Sequence, residues 1–483
     1  MKKQFYSLLL GLLLTGPVMA QNLAPELSKI KETDLKKDLY DLASDVFRGR
    51  RAGVLDELRS AVWVSEKARQ AGLKPAGEDG SYYQFYNLKR SRIASSSSVL
   101  INNQSLKLWT DVWPMTIMDY QNDGPVTWLN SMADTTKNLN GKIVAMNIQA
   151  PAAIPPKWVS LWGFRYTALA VRQQSLVLMR HGAAAIILVA DDQVESLISF
   201  TGFHFAEGDY SIPGAPEAPT PKVPIILTSK GFDKNLSSAN ATVAIHLKSE
   251  HFDYPSVNVV AKADGTDPVL KKEYVLFSGH HDHDGVGPAV NQDSIWNGAD
   301  DNGSVTVALL AVARAWTAHP GKRSALFVWH GAEERGLLGS RWFVAHPTVD
   351  LKSIVAVLNG DMIGRNAPDS AALLGILPPH RNSSDLVNMT LAANKDYSNF
   401  KLDYSWDEES HPEHWYFRSD HVPYAQAGIP SIFFTTLLHP DYHTPKDEAD
   451  RIDYPKLTTM SKWIYETGWL VSQTQKKPAL DKK

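Results

Sequence analysis

Glu333 and Glu334 stand side by side directly after the apolar run Ser324-Ala325-Leu326-Phe327-Val328-Trp329. Adjacent carboxylates at the edge of a core repel each other and lose solvation. Metal chemistry makes such a pair worth keeping. One glutamate can ligate a cation while its neighbour acts as general base on a water, and the cation charge offsets the repulsion. Further ligand types recur along the chain. His280, His281, Asp282 and His283 lie in SGHHDHDG, Asp300 and Asp301 in DSIWNGADDNGS, Asp361 in IVAVLNGDMIG and His443 in LLHPDYHTPKDEAD. The chain has no cysteine. Disulfides, thiolate ligands and a cysteine nucleophile are thereby excluded, and His with Asp and Glu remains, a ligand set of many catalytic zinc sites. Two metals ask for more carboxylate, including one that bridges ions about 3.5–4 Å apart.

Taken singly, these residues have ordinary readings. Asp300 and Asp301 could cap a helix, Asp361 could sit in a turn, and His443 could lie on the surface. Along SGHHDHDG, His281 and His283 alternate with His280 and Asp282, so only one of the two faces is expected to point at a site. Asp282 reads as a partner that orients His280, and not as a ligand. What unites the set is position. The clusters follow predicted strands at Tyr274–Ser278, Ala325–Trp329, Ile354–Leu358 and Ser431–Thr435, with Asp300 and Asp301 on an intervening loop. Helices are predicted at Ser304–Ala318, Gly336–Ala345, Ser384–Asn394 and Pro455–Val471. This alternation predicts an α/β fold, with a mixed, largely parallel sheet flanked by helices. Sites in such sheets form outside the carboxyl ends of the strands.

The rest of the chain reads differently. Residues 24–75 are predicted helical. Residues 96–250 form a β-rich segment of short runs, VTWLN, GKIVAMNI, AAIILVA, VPIILTS and ATVAIHL, with one helix from Leu169 to His181. The Pro- and Gly-rich stretch from Thr201 to Pro224 is expected to be an exposed loop, with His204 and Glu207 solvated. Residues 1–20 read as a secretory signal peptide. Lys2 and Lys3 precede the short apolar stretch Leu8–Leu14, and Val18-Met19-Ala20 is a small-residue cleavage pattern. The expected destination is periplasmic or extracellular, with no membrane anchor in the mature chain. A formal net charge of -3 gives no broad electrostatic case for nucleic acid. No G-x-S-x-G nucleophile turn is present, which disfavours a serine hydrolase.

In order along the chain, SGHHDHDG, NGADDNGS, GAEERGLLGS, LNGDMIG and DYHTPKDEAD resemble the motifs of the family-28 metallopeptidases, the two-zinc aminopeptidases. Relatives in that family include glutamate carboxypeptidases, transferrin receptors and glutaminyl cyclases. LASDVFRGRRAG, GLKPAGEDGSYYQ, GKIVAMN and HGAAAIILVAD resemble members that carry an inserted protease-associated domain. The resemblance implies a zinc-exopeptidase fold divided into 1–20 (signal peptide), 21–95 (start of the peptidase domain), 96–250 (inserted domain) and 251–475 (catalytic domain). It implies two zinc ions, one held by His280 and Asp361, the other by Glu334 and His443, with Asp301 bridging. Glu333 would be the general base, Tyr442 would stabilise the oxyanion and Asp282 would orient His280. FRSDHVPYAQAGIP resembles a pocket-lining segment, with Arg418 and Asp420 as weaker candidates for substrate binding or support. The implied substrates are peptides, cleaved from a free N-terminus. A carboxypeptidase or dipeptidase of the same family is the alternative, and a non-catalytic receptor-like protein a further one.

Overall fold

The structure is a computed structural model describing residues 23–215 and 222–482. The signal-peptide reading of residues 1–20 lies outside the described residues. The chain is a mixed α/β protein. Its larger sheet runs in the order Lys401–Leu402, Ser370–Leu374, Ser431–Thr435, Ile354–Gly360, Tyr274–His280, Ser324–His330, Ser249–Ala263, Tyr83–Ile93, Asp209–Ser211, with Lys74–Pro75 added beside Ser249–Ala263. Ser431–Thr435, Ile354–Gly360, Tyr274–His280 and Ser324–His330 are mutually parallel neighbours. Their carboxyl ends therefore open on one edge.

These four strands are buried almost throughout, as parallel strands covered on both faces must be. Their alternation sorts side chains between two layers. Val275, Phe277, Phe327, Trp329 and Leu358 pack with Leu35, Val64, Val312 and Trp463 from the helices Glu32–Leu42, Leu55–Gln70, Val305–Ala318 and Tyr454–Gln473. Leu276, Leu326, Val328 and Val357 pack against Phe343 and Tyr424 on the opposite face.

A second, eight-stranded sheet is built from strands between Ser98 and Leu247, with the helices Trp162–Arg180 and Asp192–Glu207. The five β-like runs of the sequence all lie in it. The chain enters along Tyr83–Ile93 and leaves along Ser249–Ala263. These strands pair antiparallel from Tyr83↔Val259 to Ile93↔Ser249 and form a stem, edged at Lys89–Ser91 by Asp209–Ser211. The boundary expected at residue 250 falls inside the returning strand.

The stretch from Thr201 to Pro224 departs from the expected loop. The helix Asp192–Glu207 continues through its first residues, and Asp209–Ser211 is an edge strand. Asp191 starts that helix, accepting the Val194 amide at 2.7 Å. Gly202, which suggested a break, sits inside the helix against the Trp113 indole, where a Cβ would collide. Glu207 is buried and ion-paired to Arg51 at 2.7 Å and Arg335 at 3.2 Å. The solvated reading of Glu207 is thus corrected. Among the described residues, no helix is long and apolar enough to cross a membrane.

Candidate metal centre

Three of the four parallel strands deliver a ligand type at or just beyond their ends, and His443 lies farther along after the fourth, Ser431–Thr435. His280 is the last residue of Tyr274–His280, and Asp361 follows Ile354–Gly360. Beyond Ser324–His330 the backbone turns sharply through Ala332 (φ 52) and a short 3-10 turn, Glu333–Arg335, which closes at Gly336 (φ 104). This turn sends the adjacent glutamates to different neighbours. Glu333 Oε2 lies 3.8 Å from His280 Nε2, whereas Glu334 Oε2 lies 3.3 Å from His443 Nε2.

Asp301 stands between the two histidines. Its Oδ1 is 3.3 Å from His280 Nε2 and its Oδ2 is 3.2 Å from His443 Nε2. Asp361 Oδ1 lies 3.5 Å from His280 Nε2. Two groups of potential ligand atoms result, His280 with Glu333 and Asp361, and His283 with Asp301, Glu334 and His443. Within each group the atoms lie within 4.8 Å of one another.

Supporting contacts fix these side chains. Asp447 accepts the Asp300 and Asp301 amides at 3.0 Å each. Ser419 Oγ donates to Asp361 Oδ2 at 2.8 Å. Asp282 Oδ1 accepts the Glu333 amide at 3.0 Å and lies 3.6 Å from His280 Nδ1. Fully buried Arg50 donates to the carbonyls of His281 at 2.8 Å and Gly298 at 2.9 Å, tying together the loops that carry His280 and Asp301. Burial lowers its pKa to about 10.

The electrostatics describe a site short of positive charge. Burial pushes Glu333 well above the usual carboxylate range, with Glu334, Asp361 and Asp420 adding to the rise against the opposing pull of His280. Burial also lifts Asp361 to about 6 and Asp420 to about 7. Burial opposes charge on His280 and His443, yet the surrounding carboxylates hold both well above the usual histidine range. Asp301 is driven well below its usual range, because its contacts with His280 and His443 outweigh burial. The buried Nε2 atoms of His280 and His443 have no hydrogen-bond partner. Converging carboxylates around two such nitrogens are a donor set that fits divalent cations.

Some side chains depart from the sequence expectation, and others had none. His283 was expected to face away by strand alternation. The strand ends at His280, the alternation stops there, and His283 Nδ1 lies 2.9 Å from Glu334 Oε1. Asp284, unassigned in the sequence, lies with its Oδ2 2.8 Å from His443 Nδ1. Its only signal was its place in SGHHDHDG. Asp300 neither caps nor joins the cluster; its Oδ1 accepts the Gly364 amide at 2.7 Å. Asp420 is fully buried. Arg418 donates to Glu413 at 2.7 Å and to the Tyr442 hydroxyl at 2.9 Å. Glu413 gave no signal in the sequence.

The match to a known family spans the residues of this centre. Residues 258–467 match the model of peptidase family M28. Aminopeptidase YwaD of Bacillus subtilis (strain 168) is 30% identical over 194 residues, covering 38% of this chain and 40% of that protein. The chain thus matches about two fifths of the length of that curated relative. Among solved structures, the aminopeptidase from Aneurinibacillus sp. strain AM-1 has a TM-score of 0.58 at 18% identity, covering 93% of this chain and 95% of that one. BSAP, a zinc aminopeptidase from Bacillus subtilis, has a TM-score of 0.60 at 19% identity, covering 92% and 96%. These structures share the fold. Over residues 258–467 the chain therefore carries a domain of peptidase family M28.

Proposed function

We propose that this protein is an exported, zinc-dependent aminopeptidase that removes N-terminal residues from peptides. The observation that carries the reading is Asp301, whose two oxygens face His280 Nε2 at 3.3 Å and His443 Nε2 at 3.2 Å, with Glu333 and Glu334 alongside. His280 and Asp361 would hold one zinc ion, Glu334 and His443 the other, and Asp301 would bridge them. Zinc, when bound, supplies Lewis acidity that polarises a carbonyl and acidifies a water.

The chain's own residues do the rest. Glu333 takes the proton from the attacking water and returns it to the leaving amine. Asp282, by accepting the Glu333 amide, keeps the turn in place. The Tyr442 hydroxyl accepts from Arg418, so its own proton is free to donate to the developing oxyanion. Acidic side chains around the cluster suit the positive α-amino group of a peptide. Export is supported by Lys2, Lys3, the apolar stretch after them and Val18-Met19-Ala20.

Arg418 is the residue that could have favoured a carboxypeptidase. Its Nη1 donates to Glu413 and Ser160 and its Nη2 to Tyr442, which ties the guanidinium to the protein's own side chains. A receptor-like protein would have little use for an intact ligand set with a glutamate pair.

The test combines zinc content with hydrolysis of aminoacyl anilides, N-blocked copies and peptides with free or amidated C-termini. About two zinc ions per chain, with cleavage only of substrates that have a free N-terminus, is the expected result. Cleavage of N-blocked peptides from a free C-terminus would move the activity to carboxypeptidase. Zinc without hydrolysis would return the protein to a binding role.

A further inference from the structure

We propose that the 98–247 unit is a working part of the active site: through a clasp on Glu413 it holds Arg418 against the hydroxyl of Tyr442. This inference rests on the peptidase reading and assigns the inserted unit a positioning role within it.

Glu413 is buried, its side chain sealed from solvent, between the two halves of the molecule. From the inserted unit, the Ser160 amide donates to Oε1 at 2.6 Å, the Ser160 hydroxyl to Oε2 at 2.8 Å and Arg165 to Oε2 at 2.8 Å. From the peptidase side, Arg418 donates to the same Oε2 at 2.7 Å. The Arg418 guanidinium lies 4.5 Å from the centre of the Trp415 ring and passes its other arm to Tyr442 Oη at 2.9 Å. A buried carboxylate keeps one orientation only when its partners fix it. Ser160 and Arg165 are more than 200 residues from Glu413 in sequence, so the clasp forms only when the inserted unit is docked. Without them Glu413 is free to turn, Arg418 follows it, and the Tyr442 hydroxyl loses the donor that points its proton at the substrate.

A second chain of contacts from the same unit reaches the next residue. Glu207, at the end of Asp192–Glu207, pairs with Arg335 at 3.2 Å; Arg335 pairs with Asp284 at 3.2 Å; Asp284 lies 2.8 Å from His443 Nδ1. The inserted unit therefore braces Tyr442 and His443 from two separate points. Arg165 and Ser160 are positioning residues in this scheme, since they reach the chemistry only through Glu413 and Arg418.

The experiment uses the full mature chain loaded with zinc, as wild type, Arg165→Met, Ser160→Ala/Arg165→Met, Arg165→Lys, Tyr442→Phe and Arg165→Met/Tyr442→Phe. Loss of the clasp is expected to lower kcat about tenfold, with KM changed less than about twofold and zinc content unchanged. Arg165→Lys is expected to restore most of the loss. In the Tyr442→Phe background, Arg165→Met is expected to have no further effect, since coupled residues are not additive. Amide hydrogen exchange in residues 437–445 is expected to quicken in Arg165→Met. A raised KM at unchanged kcat, multiplicative effects with Tyr442→Phe, or unchanged exchange at 437–445 would overturn the clasp. Should the wild type cleave no peptide, the peptidase reading falls, and the exchange measurement still decides the clasp.

Discussion

Asp284 Oδ2 lies 2.8 Å from Nδ1 of His443, while the other ring nitrogen of His443 faces Asp301 and Glu334. A histidine held in this way presents Nε2 in one direction and one tautomer. Asp284→Asn is expected to weaken zinc binding by about 10- to 100-fold, the usual cost of losing such a partner. Competition with a chromophoric chelator measures it. Unchanged affinity would remove Asp284 from any role in holding His443.

Glu333→Gln keeps the size and the amide anchor to Asp282 but cannot take a proton. Turnover is expected to fall by about 10²–10⁴-fold with zinc content unchanged. Elemental analysis beside steady-state rates separates the two effects. Full activity in this variant would take Glu333 out of the base role.

Asp301→Ala removes the carboxylate that faces both histidines. Loss of bound zinc together with activity is the expected outcome, read by elemental analysis after dialysis. A variant that retains two tightly bound zinc ions would contradict the bridging role.

Arg50→Met leaves the carbonyls of His281 and Gly298 without their donor while keeping most of the apolar bulk. The expected cost is about 3 kcal/mol or more, because buried acceptors lose a charged partner. Denaturant unfolding of the zinc-free protein measures the stability directly. An unchanged midpoint would show that the two loops hold without Arg50.

Glu57 gives a pH dependence away from the ligands. Burial raises its pKa from 4.5 to about 8, with Asp282 adding to the rise. The folded state thus binds a proton that the unfolded chain releases. The stability from this group is full below about pH 4.5 and is lost as pH rises through about 8. Thermal unfolding of the wild type from pH 5 to 9 is expected to show this decline, and Glu57→Gln is expected to flatten it. Equal slopes in the two proteins would place the dependence elsewhere.

The sequence was most legible where burial is most complete. Strands such as Ile354–Gly360 are buried throughout, and the unbroken apolar run Ile354–Leu358 made this one readable. The ligand types at their ends could be listed for the same reason. His283 was misread because a strand rule was carried beyond the strand, which stops at His280. The helix Asp192–Glu207 was obscured by Gly202, whose presence reflects the nearby Trp113 and not a turn. Glu413 and Ser160 were silent, because their meaning comes from a contact across the fold that no local pattern encodes.

Ile93 and Ser249 face each other across the last rung of the stem. The whole segment between them is thus spliced into the larger sheet at a gap of one strand spacing, about 5 Å. A two-residue turn of the kind that closes ordinary hairpins spans the same gap. In engineering terms the segment is a cassette entered at one rung but also latched by the Asp209–Ser211 strand, the Glu207–Arg335 pair and the Glu413 clasp, so an exchange that keeps the register of the two strands must also replace those contacts. Its loop is already closed by the ladder, so the larger sheet bears little entropic cost for the length of chain carried at its tip.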